Sequence, residues 1–155
     1  MNLEKLELRI KRLEDIEEIR NLHAALVYGH DSGTWQAVAD LFVEDAVCDF
    51  GPFGHPEGKK AIGEHFNMER TRMPFRLHLL HNPVIKVAGN KAKGKWSFQA
   101  YVTQASTNRA IEVAGEYNCD YVRTKVGWKF KVCACRFHYI TPYDEGWVKS
   151  NLAEF

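Results

Sequence analysis

Hydrophobic positions along this chain change their period once. Over the first thirty residues Leu3, Leu6, Ile10, Leu13, Ile16, Ile19, Leu22 and Leu26 recur at three- and four-residue steps with charges between them, the spacing of an amphipathic helix. Gly29 breaks the pattern and predicts the helix end. A second short helix is predicted over Trp35, Val38, Ala39, Leu41 and Phe42, with Ser32 or Gly33 near its start. Ala46 to Phe50 alternates as a strand, and residues 51–58 are dense in Gly and Pro, as a loop is. Lys59 to about Met68 reads as a third helix, with Ile62 and Phe66 at i, i+4. After Pro74 the period falls to two. Segments 75–88, 92–104, 109–123 and 127–140 are long, rich in β-branched and aromatic residues, and separated by short turns, so they form a mainly antiparallel meander. The tail from Thr141 to Phe155 is expected to be irregular or a short helix. Helices first and a meander afterwards define the α+β class, with helices covering one sheet face.

Composition narrows this picture. A chain of 155 residues is expected to form one domain, 1–155, with a core large enough to need no staples. Basic and acidic residues balance at 21 and 20, which argues against a broad nucleic-acid surface. No apolar run is long enough for a membrane span, and the N-terminus lacks the apolar stretch of a secretory signal. Cys48, Cys119, Cys133 and Cys135 show neither a CxxC pair nor zinc-like spacing, so they are expected as reduced, mostly buried thiols of a cytoplasmic protein. Alternation leaves both faces of several strands hydrophobic. The outer sheet face is therefore expected to be apolar and to pack on another subunit, in a homo-oligomeric dimer or trimer. The heptad-like residues 3–13 either extend that contact or form a solvated amphipathic helix.

Two polar residues carry candidate chemistry. Asp31 lies at the junction of the first two helices, where a carboxylate commonly caps the following helix through its free N–H groups. His78 stands on a strand, on the face opposite Leu77, Leu79 and His81. Such a histidine is more often a satisfied structural residue than a catalyst. Three positions separate His78 from His81, so the two face opposite ways and make a poor metal pair, and no metal site is expected. The aromatics Trp96, Phe98, Tyr101, Tyr117, Tyr121, Trp128, Phe130, Phe137 and Tyr139 are read as sheet core or subunit interface, or as the lining of an apolar pocket between helices and sheet.

Several strings resemble a known superfamily. They are Leu13 to Arg20 followed by Asp31-x-x-x-Trp35; Glu44-Asp45-Ala46-Val47; Gly58 and its following helix; His78 to Pro83; and Gly127-Trp128-Lys129-Phe130 with Tyr139 to Pro142. In this order they are similar to the SnoaL-like, nuclear transport factor 2-like proteins, over about residues 10–145. Within these the chain resembles the lyase branch, which includes scytalone dehydratase, bile acid 7α-dehydratase and hexachlorocyclohexane dehydrochlorinase.

The resemblance implies a cone-shaped α+β barrel, with N-terminal helices packed on a strongly curved sheet. It implies a dyad of Asp31 and His78, 47 positions apart, in which the carboxylate fixes the imidazole tautomer and the free ring nitrogen acts as general base. It implies a pocket of Leu26, His30, Phe50, Ala100, Val113, Tyr117, Cys135 and Phe137, largely apolar and suited to a small hydrophobic substrate. Some lyase positions differ. Phe50 stands where the dehydratase has a tyrosine, Ala100 where the bile-acid enzyme has an acid, and Cys133 where the dehydrochlorinase has an arginine. The expected activity is a dehydratase-type elimination without a cofactor. A ketosteroid-isomerase-like or polyketide-cyclase-like reaction on the same scaffold is the alternative, as is a non-catalytic binding module.

Overall fold

The computed structural model describes residues 2–149. Helix α1 spans Leu3–Ser32, α2 Trp35–Ala39 and α3 Lys59–Arg72; strand β1 spans Phe42–Asp49, β2 Arg76–Ala88, β3 Lys91–Gln104, β4 Arg109–Thr124 and β5 Gly127–Pro142. The sheet order is β1-β5-β4-β3-β2. The meander β2 to β5 is antiparallel, while β1 returns along the far edge parallel to β5. Helices on a five-stranded mixed sheet make this the expected α+β cone.

The helix α1 does not end at Gly29. It runs one turn further to Ser32 and stops at Gly33, whose φ of 74° and backbone N–H to the carbonyls of Gly29 and His30 make the left-handed cap. Gly29 serves a different purpose. It is buried, and a Cβ there would lie 2.6 Å from Cγ2 of Val38, so its bareness lets α2 approach α1. The extra turn puts Asp31 on α1 rather than at the start of α2. Thr34 occupies the N-cap position of α2, and Asp31 does not cap that helix.

Other boundaries shift too. Phe42, expected at the end of a helix, opens β1, where it pairs with Phe130 of β5. The third helix reaches Arg72, and β5 reaches Pro142. Residues 143–149 follow as turns, and residues 150–155 of the expected tail lie outside the described residues.

Alternation sorts the long strands as a half-buried sheet requires. The inward residues Trp96, Phe98, Tyr117, Tyr121 and Phe130 meet Ile19, Leu22 and Leu26 of α1 in one core. Register shifts at Ala114/Gly115 and Asp120/Tyr121 between β4 and β5, and at His81/Val84 between β2 and β3, bend the strands around that core. The middle of α1 is tied to the far hairpin by polar contacts. Asp15 accepts from Arg123 at 2.5 Å and from Trp128 Nε1 at 3.2 Å, and Glu18 accepts the Trp128 backbone N–H at 2.7 Å.

The outer sheet face is not the apolar surface expected. On β3 to β5 it is laced with ion pairs, Lys93 to Asp120 at 2.8 Å and Lys95 to Glu116 at 3.0 Å, while Tyr139 donates to Glu112 at 2.9 Å. Exposed apolar side chains gather instead on β2, at Leu77, Leu79 and Val84, and on the first turns of α1. The four thiols are free; Cys48, Cys119 and Cys133 are buried. No helix among the described residues is long and apolar enough to cross a membrane.

Candidate active site

The last turn of α1 and the start of β2 meet through a pair of hydrogen bonds. Asp31 Oδ1 lies 2.6 Å from His78 Nδ1, and Oδ2 accepts the His78 backbone N–H at 2.9 Å. The carboxylate thus holds both the ring and the main chain of one residue, which places the proton on Nδ1 and turns Nε2 to the opposite side of the ring. The side chains of His78 and Asp31 are only 9% and 17% exposed, so the pair is largely screened from water.

Beneath the dyad lies Arg76, two residues before His78 and on the same strand face. Its guanidinium donates to the carbonyls of His30 at 3.0 and 2.7 Å, to that of Asp31 at 3.4 Å, to that of Glu69 at 3.4 Å and to that of Met73. One buried cation therefore satisfies carbonyls at the C-terminal ends of both α1 and α3, complementing both helix dipoles. Burial lowers its pKa, and the charges of Asp31 and Glu69 oppose that shift.

His78 lines a cavity between helices and sheet together with Leu26, His30, Phe50, Ala100, Val113, Tyr117, Cys135 and Phe137, so every expected pocket residue falls on one wall system. The cavity measures about 60 Å³, inside an atom-free space of about 620 Å³ that includes its open mouth. Asp31 stands behind His78, on a groove between α1 and β2, and does not line the cavity. Cys133 is fully buried in the core and does not line it either.

The walls are largely apolar, and burial shifts His30, His65, Glu69 and Tyr117 toward their neutral forms. Burial holds His30 well below the ordinary histidine range, with the neighbouring His78, Arg76 and His65 adding to the effect. His30 Nε2 is buried with no hydrogen-bond partner among the described residues, and its ring sits 4.8 Å from that of His78. His65, stacked on Phe50, is lowered by burial to about 4. The Tyr117 hydroxyl is pushed well above its usual range by burial, with the nearby cysteines next.

Glu69 is the residue that the sequence reading missed. It is 2% exposed, lines the same cavity, and has its carboxyl pKa raised by burial; Arg72, at 3.4 Å from Oε1, and Arg76 oppose the shift. Its signal was present: a charged residue continuing the buried stripe Ile62, Phe66 and Met73. Ending the third helix at Met68 hid it. Arg76 was readable as well, since alternation puts it on the face of His78. Among the described residues no group of three or more His, Cys, Asp or Glu side chains could hold a metal ion.

A histidine oriented by a carboxylate, beside an apolar cavity lined by a buried carboxyl of raised pKa and a tyrosine, is equipped to move protons to and from carbon and oxygen. Residues 11–134 match the model of the SnoaL-like domain. The chain belongs to the SnoaL-like domain family.

Among solved structures, this SnoaL-like chain is similar to a provisionally assigned aromatic ring hydroxylase from Novosphingobium aromaticivorans, at 27% identity and a TM-score of 0.77 over 84% of this chain and 94% of that one. It is also similar to a provisionally assigned scytalone dehydratase from the same organism, at 22% identity and a TM-score of 0.79 over 91% and 94% of the two chains. A type 3 hexachlorocyclohexane dehydrochlorinase from Novosphingobium barchaimii follows the same fold at 23% identity and a TM-score of 0.80, over 89% and 96%. The latter two likenesses establish the nuclear transport factor 2-like fold alone. Different chemistries share that scaffold, so the reaction must be argued from the site. No curated protein matches the chain.

Proposed function

We propose that this SnoaL-like protein is a lyase that eliminates water, or a comparable small group, from a small hydrophobic substrate, with His78 as general base and Asp31 as its positioning partner. The observation that carries the reading is the 2.6 Å contact between Asp31 Oδ1 and His78 Nδ1 at the wall of an apolar cavity. With its proton held on Nδ1, His78 takes a proton from carbon through Nε2. The C–H electron pair becomes the new double bond and the C–O bond breaks. The imidazolium that forms stands beside Asp31, which offsets its charge. Glu69, whose carboxyl burial shifts toward the protonated form, gives its proton to the leaving oxygen so that water departs, and His78 returns a proton to Glu69 to close the cycle.

The largely apolar lining suits an aromatic or alicyclic substrate, and so small a cavity admits one only as the half-exposed Phe53 and Phe137 turn aside. The dehydrochlorinase and dehydratase built on the same fold support elimination. A non-catalytic module expects Asp31 and His78 beyond hydrogen-bond reach, and their 2.6 Å contact weighs against it.

Hydroxy-acyl, steroid-like and halogenated cyclic compounds, incubated with the protein and followed by mass spectrometry, test the reading. Loss of water or hydrogen halide supports a lyase, whereas a product of unchanged mass marks the isomerase reading. His78→Ala and Asp31→Asn must then each abolish most turnover without unfolding the protein. Variants as active as the parent would end the dyad assignment.

A further inference from the structure

The helix α1 carries two apolar stripes, and the described residues bury only one. From Asp15 onward the residues Ile19, Leu22 and Leu26 pack on the sheet, and Asp15 is the first anchored position. Residues 2–14 are all exposed, including Leu3, Leu6, Ile10 and Leu13. At 3.6 residues per turn those four leucine and isoleucine side chains lie about 180° around the helix from Ile19, Leu22 and Leu26. No bend of this chain onto its own sheet can bury them. An isolated stretch of this length would fray in water, and an apolar stripe pointing away from its own body needs a second body.

We propose that the first three to four turns of α1 pair in parallel with the same turns of a second copy of this chain, forming a short two-stranded coiled coil. The spacing of Leu3, Leu6, Ile10 and Leu13 is the 3-4-3 step of heptad positions a, d, a and d. Leucine at both d positions and Ile10 at the central a position favour two strands. Charge then selects the direction. Glu7 and Glu14 fall at e and Arg9 at g, so a parallel pair sets Arg9 against Glu14 of the partner subunit twice by symmetry. An antiparallel pair would instead set e against e, glutamate against glutamate. Each sheet lies on the far side of its own helix from the seam, so two copies meet without collision, in a self-complementary two-fold contact. Two heptads make a small interface, so the dimer dissociates on dilution.

Sedimentation of the full chain from about 1 to about 200 micromolar tests this. The expected result is a monomer–dimer equilibrium. The double variant Leu6→Glu with Ile10→Glu raises the dissociation constant at least about tenfold, a loss of about 1.4 kcal/mol. Leu8→Glu, as exposed but on the opposite face, leaves the constant unchanged. Leu6→Cys and Leu13→Cys proteins, each oxidised alone, crosslink with themselves, because parallel in-register helices bring like positions together. Leu8→Cys stays at the background of the parent. A monomer across the whole range, association untouched by the double variant, or crosslinking only when the Leu6→Cys and Leu13→Cys proteins are mixed would each overturn the proposal.

Discussion

Two histidines on the inner side of this fold occupy opposite surroundings. His23, fully buried near the middle of α1, is ringed by Trp96, Tyr117 and Phe130 at centroid distances of 4.6, 4.8 and 5.3 Å. Its Nδ1 lies 3.0 Å from the Tyr121 hydroxyl, which accepts from Trp96 Nε1 at 3.1 Å and so keeps its own proton for the histidine. Burial alone lowers this imidazole to about 3, and it stays neutral. His78, at the other end of the cone, has Asp31 on one ring nitrogen and a cavity beside it. Burial is common to both. What separates a core residue from a candidate base is an anion to share the charge and a space where a substrate could sit.

The dyad variants put the greatest strain on that contrast. Once a substrate is in hand, His78→Ala is expected to lower kcat by about 10²–10⁴-fold, the usual worth of a general base. Asp31→Asn should approach that loss, because an amide in place of the carboxylate no longer fixes the tautomer or offsets the imidazolium. Combining the two should add little, as happens when residues act as one unit. His23→Gln should leave the rate per folded molecule within about twofold while lowering the unfolding midpoint in urea. A rate loss at His23 as large as at His78 would erase the distinction.

The two ends also differ in what holds them. The His23 end rests on ring packing, whereas the dyad end rests on Arg76, whose removal leaves carbonyls of both α1 and α3 without their donor. Arg76→Met should therefore cost about 3–5 kcal/mol in urea unfolding, the range for breaking a buried charged network. Arg76→Lys should recover only part, since an ammonium cannot span the same set of carbonyls. A loss below about 1 kcal/mol for Arg76→Met would mean that packing holds this end as well.

How far each end could be read from the residues follows the same division. Alternation alone sets His78 on the face opposite Leu77, Leu79 and His81, and the period change after Pro74 marks the four strands of the meander, because burial on one sheet face imposes a spacing of two. The pocket residues Leu26, Phe50, Val113 and Phe137 come from a helix, a loop and two strands, and only the family resemblance brings them together in advance. The register of α1 was harder. Gly29 reads as a helix stop, yet its missing side chain serves helix contact, which is a tertiary fact that no local pattern records. That misreading moved Asp31 off its helix and suggested a cap. The outer sheet face misled in another way, since Lys93, Lys95, Asp120 and Glu116 pair across strands that lie apart in the chain. Glu69 escapes because the third helix runs four residues past Met68, to Arg72.

Acid unfolding tests the neutral histidine most directly, and with the smallest effect. In the folded protein His23 accepts a proton only near about 3, whereas the unfolded chain does so near the ordinary 6.5. Between those values the unfolded state holds the extra proton, so the contribution of His23 to stability is complete above 6.5 and is lost as pH falls. The slope for one such group is about 1.4 kcal/mol per pH unit, so by about pH 5 the loss reaches about 2 kcal/mol. His30 and His65, lowered by the same cause, act in the same direction, so the parent should soften steeply below neutrality. His23→Gln cannot titrate, so it should lose about 2 kcal/mol less than the parent between about pH 7 and about pH 5 in urea unfolding. Equal losses in the two proteins would mean that His23 takes up a proton inside the fold, which the ring-lined site around Tyr121 has no anion to support.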